Sequence, residues 1–119
     1  MSQDFPVVIH HNPNCGTSRN ALELIRQSGR DPVVNRYLET GWTRARLQDL
    51  LTAMDKRPRD ILRTRGTPAE ELGLLENGVS DDAILDAMVA HPILVERPIV
   101  ESPKGVRLCR PAETVRELL

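Results

Sequence analysis

Residues 5–38 read FPVVIHHNPNCGTSRNALELIRQSGRDPVVNRYL, and the spacing of apolar residues changes twice along them. Phe5 to His10 (FPVVIH) is a short apolar run rich in β-branched residues, the pattern of a buried strand. His11-Asn12-Pro13-Asn14 ends it with turn-forming residues. From Gly16 or Thr17 the spacing becomes helical. Ala21, Leu22 and Ile25 make an apolar stripe, Arg19, Glu23 and Arg26 face away, and Gly29 stands where a helix C-cap belongs. Pro32 to Leu38 (PVVNRYL) reads as a second strand, which a right-handed crossover sets parallel to the first.

Outward from this β-α-β unit, Thr43 is placed to cap a helix carrying Leu47, Leu50, Leu51 and Met54 at i, i+3, i+4 and i+7. Pro58 opens a further short helix, expected over Arg59 to Arg63. Ser80-Asp81-Asp82 starts another, with acidic residues suited to its first turn and Ile84, Leu85, Met88 and Val89 to bury. Pro98-Ile99-Val100-Glu101 and Val106-Arg107-Leu108-Cys109 flank Pro103-Lys104-Gly105, a hairpin signal. Pro111 fits the first position of a last helix, closed by Val115, Leu118 and Leu119. The order is β-α-β, a helical insertion over about 43–90, then β-β-α. An α/β fold is expected, a sheet flanked by helices, in a single domain over residues 1–119.

A chain of 119 residues suits one domain of ordinary size. No run approaches the roughly 18–20 apolar residues of a membrane span. Met1-Ser2-Gln3-Asp4 has neither the basic start nor the apolar run of a signal peptide, so a cytoplasmic protein is expected. Sixteen basic and 17 acidic side chains leave a formal charge of -1, with no basic excess to collect nucleic-acid phosphates. Of those cations only Lys56 and Lys104 are lysines. An Arg-rich genome explains that bias blandly; oxyanion binding explains it more sharply, because guanidinium forks match pairs of oxygens. Cys15 and Cys109 form neither a disulfide framework nor a zinc ligand set, and no metal site is expected.

Cys15 carries the chemical signal. It stands where the first strand's loop meets the first helix, and unsatisfied N–H groups with the positive dipole end favour an anion there. A thiol so placed has its pKa lowered. His11, if protonated, and Arg19, one turn into the helix, push the same way. A buried, inert Cys at a strand end is the plainer reading, but the surrounding Asn, Pro, Gly, Thr and Ser point to an accessible loop. Cys109 alternates with apolar residues in a strand, which reads as packing. Ionisation alone makes no catalyst. Lowering a thiol pKa by about 2 units gives roughly twenty-five times more thiolate at neutral pH, and falling nucleophilicity takes back most of that gain. Positioning and stabilisation of substrate charge must supply the rest. Arg63 after Ile61-Leu62, Arg97 before Pro98 and Arg110 before Pro111 all lie at element ends, where loops can face one site. For each singly, a solvated surface Arg is the simpler reading.

The decapeptide His11-Asn12-Pro13-Asn14-Cys15-Gly16-Thr17-Ser18-Arg19-Asn20 resembles the active-site loop of the glutathione- and glutaredoxin-dependent bacterial arsenate reductases. Ile61 to Arg63 (ILR), His91 to Val100 (HPILVERPIV) and Arg107 to Pro111 (RLCRP) resemble that family in the same order, so the likeness runs from about residue 7 to residue 119. It implies a thioredoxin-like, glutaredoxin-type three-layer fold with a mixed sheet and a helical insertion. It implies that Cys15 is the nucleophile, that Arg63, Arg97 and Arg110 surround arsenate and its adduct, and that His11 tunes the thiol. Asn12, Gly16, Thr17, Ser18, Arg19 and Pro98 would complete the loop, with Pro98 following a cis peptide bond. Arsenate, glutathione as co-substrate and a glutaredoxin are the implied partners, with no bound cofactor, no nucleic acid, no membrane and a monomer. Thr40-Gly41-Trp42 departs from the family, which usually has a Pro-Pro pair there.

Other classes share the architecture. A homologue acting on another thiol-linked substrate has no need of all three arginines. A redox-linked transcriptional regulator of this fold senses through Cys-x-x-Cys, where this chain reads Cys15-Gly16-Thr17-Ser18. A plain anion-binding module has no use for a reactive Cys.

Overall fold

The computed structural model describes residues 6–119, so Phe5 of the expected first strand lies outside the described residues. The chain divides into two compact units. One is formed by the chain up to Thr40 together with Arg97–Leu119, and the other by Gly41–Glu96.

The first unit holds a four-stranded mixed sheet in the order β2-β1-β3-β4. Strand β1 (Val8–His10) pairs parallel with β2 (Val33–Asn35) and antiparallel with β3 (Ile99–Ser102), and β3 pairs antiparallel with β4 (Gly105–Leu108). Ile9 faces Val34 on one side and Val100 on the other. Val7 and Ile9, two apart and therefore on one face, meet Ala21 and Ile25 of helix α1 (Gly16–Gln27) in one buried cluster. Val115 and Leu118 of a C-terminal 3-10 helix (Ala112–Leu118) complete it. Each fully buried aliphatic side chain there contributes about 1.5–3 kcal/mol. Helix α1 ends as its sequence demands: Gly29 takes φ 88, and its N–H reaches Arg26 O at 3.0 Å. The hairpin forms at Pro103-Lys104, with Ser102 opposite Gly105.

Three expectations in this unit are corrected. The second strand stops at Asn35, because Arg36 O accepts from Glu39 N at 2.9 Å and Thr40 N at 3.1 Å, turning Tyr37–Thr40 into a short helix, α2. That turn buries Tyr37 completely, and β2 is left as an edge strand with Val33 half exposed. The last helix is 3-10, not α, and Pro111 is its N-cap, outside the first turn. Its buried Ala112, Val115 and Leu118 recur every three residues, the spacing that aligns side chains on one ridge of a 3-10 helix.

The second unit is helical. Thr43 Oγ1 accepts from Arg46 N at 3.1 Å and starts α3 (Arg44–Met54), which buries Leu47, Leu50 and Leu51. Ser80 Oγ accepts from Ala83 N at 3.1 Å and starts α4 (Asp81–Ala90). Arg44 on α3 pairs with Asp82 and Asp86 on α4. Two corrections apply here. Val89 is exposed, since it lies about 140° around α4 from Ile84. The helix at Pro58 covers Pro58–Ile61 and not Arg59 to Arg63, because Leu62 is extended and bridges Val95. No helix among the described residues is long and apolar enough to cross a membrane.

Candidate active site

The loop between β1 and α1 is fastened at almost every residue. His11 N donates to Asn35 O at 2.8 Å, so the loop leaves the sheet anchored to the edge strand. Asn12, itself buried, accepts Asn14 N on its side chain at 2.9 Å and Cys15 N on its carbonyl at 3.0 Å. Its own N–H donates to Ser18 Oγ at 3.1 Å. Arg19 reaches back from α1 and donates through Nη1 to Pro13 O at 2.8 Å. Cys15, with φ -103 and ψ 122, is the N-cap of α1. Pro13, Asn14 and Gly16 are exposed as the loop reading expects, but Cys15 keeps only 9% of its surface. The accessible loop is therefore corrected at the sulfur itself, which the fold shelters.

Burial by itself raises the Cys15 pKa. It is outweighed by the Ser18 backbone N–H and by the Arg97 and Arg110 guanidinium groups, which together pull the thiol down to about 7. Arg110 Nη1 lies 3.8 Å from Cys15 Sγ and donates to Arg97 O at 2.9 Å. Arg97 is 8% exposed, and among the described residues its Nε and Nη1 have no hydrogen-bond partner. A buried cation with donors unused is costly, and such groups recur where an anion completes their shell. The Arg97-Pro98 peptide is cis, as is Arg110-Pro111, which no sequence signal had marked. Cys109 stands apart. It is fully buried in the apolar cluster, and its pKa is pushed up to about 12, chiefly by that burial.

His11 requires a correction. Desolvation, then the charges of Arg36, Arg26 and Arg19, lower its pKa below the ordinary histidine value. The ring is neutral at neutral pH and exerts no cationic pull on the sulfur. It works through Ser18 instead. Nδ1 lies 2.6 Å from Ser18 Oγ, and a hydroxyl that already accepts from Asn12 N–H donates its proton to an unprotonated ring nitrogen.

Arg63 belongs to the helical unit. Its Nη1 donates to Glu96 Oε1 at 2.9 Å and its Nε to Arg65 O at 3.1 Å. The bridge between Leu62 and Val95, with Arg63 N on Leu94 O at 2.7 Å, holds the two segments together. Within the first unit, then, the geometry gathers Cys15, Ser18, Arg97 and Arg110, with His11 and Asn12 behind them. Two contributors were missed in the sequence: Asn35, whose carbonyl anchors the loop, and Glu96, which holds Arg63. Only the adjacency of Glu96 to Arg97 in the Glu-Arg-Pro run pointed to the latter. Among the described residues no three His, Cys, Asp or Glu side chains gather to hold a metal ion.

A family model described as the ArsC family matches residues 10–118. The chain belongs to the ArsC family. Among ArsC relatives, an arsenate reductase of Synechocystis sp. is 58% identical over 95% of this chain and 81% of its own length. The arsenate reductase of Escherichia coli K12 is 52% identical over 95% of this chain and 80% of its own. The solved arsenate reductase of Vibrio cholerae superposes with a TM-score of 0.91 at 39% identity, covering 98% of this chain and all of that one. The mixed four-stranded sheet with its helices is the thioredoxin-like arrangement of the ArsC structures, as the sequence led us to expect.

Proposed function

We propose that this ArsC-family chain is an arsenate reductase that acts through a single thiol. The observation that carries the reading is the Cys15 sulfur, half ionised near neutral pH, with Arg110 Nη1 at 3.8 Å and the buried, under-partnered Arg97 beside it. A thiolate does not attack an oxyanion unless cations cancel the repulsion between them. Arg97 and Arg110 supply that cancellation, and the likeness to the family's active-site residues adds Arg63 as a further arsenate-binding arginine. In this reading the chain works as one catalytic domain.

Cys15 Sγ attacks arsenic, a sulfur–arsenic bond forms, and an oxygen leaves as hydroxide or water. Glutathione then attacks the Cys15 sulfur. The sulfur–arsenic pair of electrons stays with arsenic, which falls from the pentavalent to the trivalent state and leaves as arsenite. The Cys15–glutathione mixed disulfide that remains is cleared by a glutaredoxin. One protein thiol suffices because the second comes from solution, which accounts for Ser18 where a dithiol oxidoreductase carries its second Cys. Neutral His11 holds the Ser18 hydroxyl and so fixes the turn whose N–H faces the sulfur. Glutathione, glutaredoxin and a reducing compartment together fit a monomer at work in the cytoplasm, in arsenical detoxification.

The test is NADPH oxidation coupled through glutathione reductase, glutathione and glutaredoxin, with and without arsenate. Cys15→Ser abolishes the arsenate-dependent rate, whereas Cys109→Ser keeps most of it. Equal losses from the two substitutions overturn the single-thiol scheme.

A further inference from the structure

Beside the active-site loop the first unit holds a groove of about 490 Å³, which His11 lines and Arg97 and Arg110 do not. Leu22 and Val34 give it an apolar floor, and Arg26, Arg36 and Glu39 carry its charges. His11 and Asn35 also line it, so the groove adjoins the residue that holds Ser18. The Arg26 guanidinium makes no hydrogen bond or ion pair with any described residue, although it comes from the last turn of α1 and shares the groove with a carboxylate. Arg36 and Glu39 face each other loosely at 3.6 Å, both more than half exposed. Exposed pairs of that kind exchange partners at little cost, since they contribute at most about 1 kcal/mol. Both guanidinium charges act on His11, which lines the same groove.

We propose that this groove is the binding site for glutathione, with Arg26 and Arg36 on its two carboxylates and Glu39 on its ammonium group. The proposal rests on the reading of the chain as glutathione-dependent and adds where that co-substrate sits. Near neutral pH glutathione carries two carboxylates and one ammonium, joined by a short peptide with two amides. The groove carries two guanidinium groups and one carboxylate, so the charges oppose one for one. Asn35 also lines the groove, its side-chain amide held between His10 Nδ1 at 2.9 Å and Thr40 Oγ1 at 3.0 Å. A simple inorganic anion uses only the cations and finds Glu39 repulsive. The arsenate site is assigned to Arg97 and Arg110, which do not line this groove. Through His11 and Ser18 the groove touches the turn that carries the sulfur, which lets a thiol donor be held without occupying the oxyanion's place.

The experiment is a two-dimensional amide NMR titration of the full chain with S-methylglutathione, which has the charges of glutathione but no free thiol and so cannot turn over. Saturable shifts are expected in residues 22–26 and 34–40. Arg26→Gln and Arg36→Gln each weaken binding about threefold, and the double variant about tenfold. Arg30→Gln, an exposed arginine outside the groove, leaves binding as it was. Parallel titrations use sodium sulfate at matched ionic strength and S-methylglutathione esterified at its glycine carboxylate. Absent shifts, shifts elsewhere, equal shifts with sulfate, or an ester that binds as well as the parent each overturn the assignment. The arsenate-dependent assay runs on the same preparations. If that assay fails while S-methylglutathione still shifts the groove, the groove assignment stands and only the arsenate reading falls.

Discussion

Replacing Arg110 with alanine gives the sharpest test of the thiolate. Its Nη1 is 3.8 Å from Cys15 Sγ, and the residue is exposed, so water-like screening sets the smallest effect. A unit charge at 3.8 Å under that screening stabilises the thiolate by about 1 kcal/mol. That corresponds to about 0.8 pH unit, moving the titration from about 7 to just under 8. The sign follows from what the cation favours: it holds the ionised form, so its loss raises the pKa. In Arg110→Ala the thiolate fraction near pH 7 falls from about one half to about one seventh, while each thiolate becomes about twofold more nucleophilic. Net alkylation by iodoacetamide therefore drops about 1.5-fold near pH 7 and rises about twofold near pH 9, and the two pH profiles cross at about 7.5. The assay is the rate of Cys15 modification by mass spectrometry across that range, with Cys109 as an internal silent site, since burial pushes its thiol up to about 12. An Arg110→Ala inflection within about 0.2 unit of the parent's refutes the pairing, as does a pair of curves that never cross.

Arg97→Ala removes the buried guanidinium and should raise the arsenate KM about 10- to 100-fold, the range expected for a charge-assisted contact. Circular dichroism should be unchanged, because Arg110 bonds to the Arg97 carbonyl and not to its side chain; an unaltered KM places Arg97 outside the site. Ser18→Ala leaves the Asn12 N–H without its acceptor inside the protein and should cost about 1–3 kcal/mol in urea unfolding. An unchanged urea midpoint contradicts the role of that hydroxyl as the loop's anchor.

Much of the architecture was legible because its causes are local. The β-branched run through Val8–His10, the stripe Ala21, Leu22 and Ile25, and the caps Thr43 and Ser80 each announce their element within a few residues. Tyr37 was misread because an apolar aromatic after Val33 and Val34 continues a strand pattern, while the turn that stops it is made by the Arg36 carbonyl, which any residue supplies. The C-terminal spacing Ala112, Val115, Leu118 carried its 3-10 period openly, but a reading tuned to 3.6 residues per turn settled on Val115, Leu118 and Leu119. At the site, Cys15 at a helix start could be read from Asn-Cys-Gly-Thr-Ser alone. The charge state of His11 could not. It depends first on burial of the ring and then on the guanidinium charges of Arg36, Arg26 and Arg19, which only the folded chain brings about. The Arg110 contact spans 95 positions, and in the sequence only its place before Pro111 and the RLCRP resemblance pointed to it.

Most helices begin on an oxygen from a serine, threonine or carboxylate; α1 begins at Cys15, whose sulfur makes no capping hydrogen bond but meets the Ser18 N–H electrostatically. The thiol proposed as nucleophile thus sits at the N-cap of the helix, and each covalent state of Cys15 changes the charge that the first turn meets. While the sulfur is negative, the Ser18 N–H and the dipole end of α1 have a charge to meet. Once that sulfur is alkylated or joined to a substrate, the turn loses its counterpart and loosens. Amide exchange at Gly16–Ser18 should then quicken on alkylation, and equal exchange before and after contradicts the coupling. A resting state with a taut helix start and an intermediate with a slackened one would ease the departure of whatever the sulfur carries.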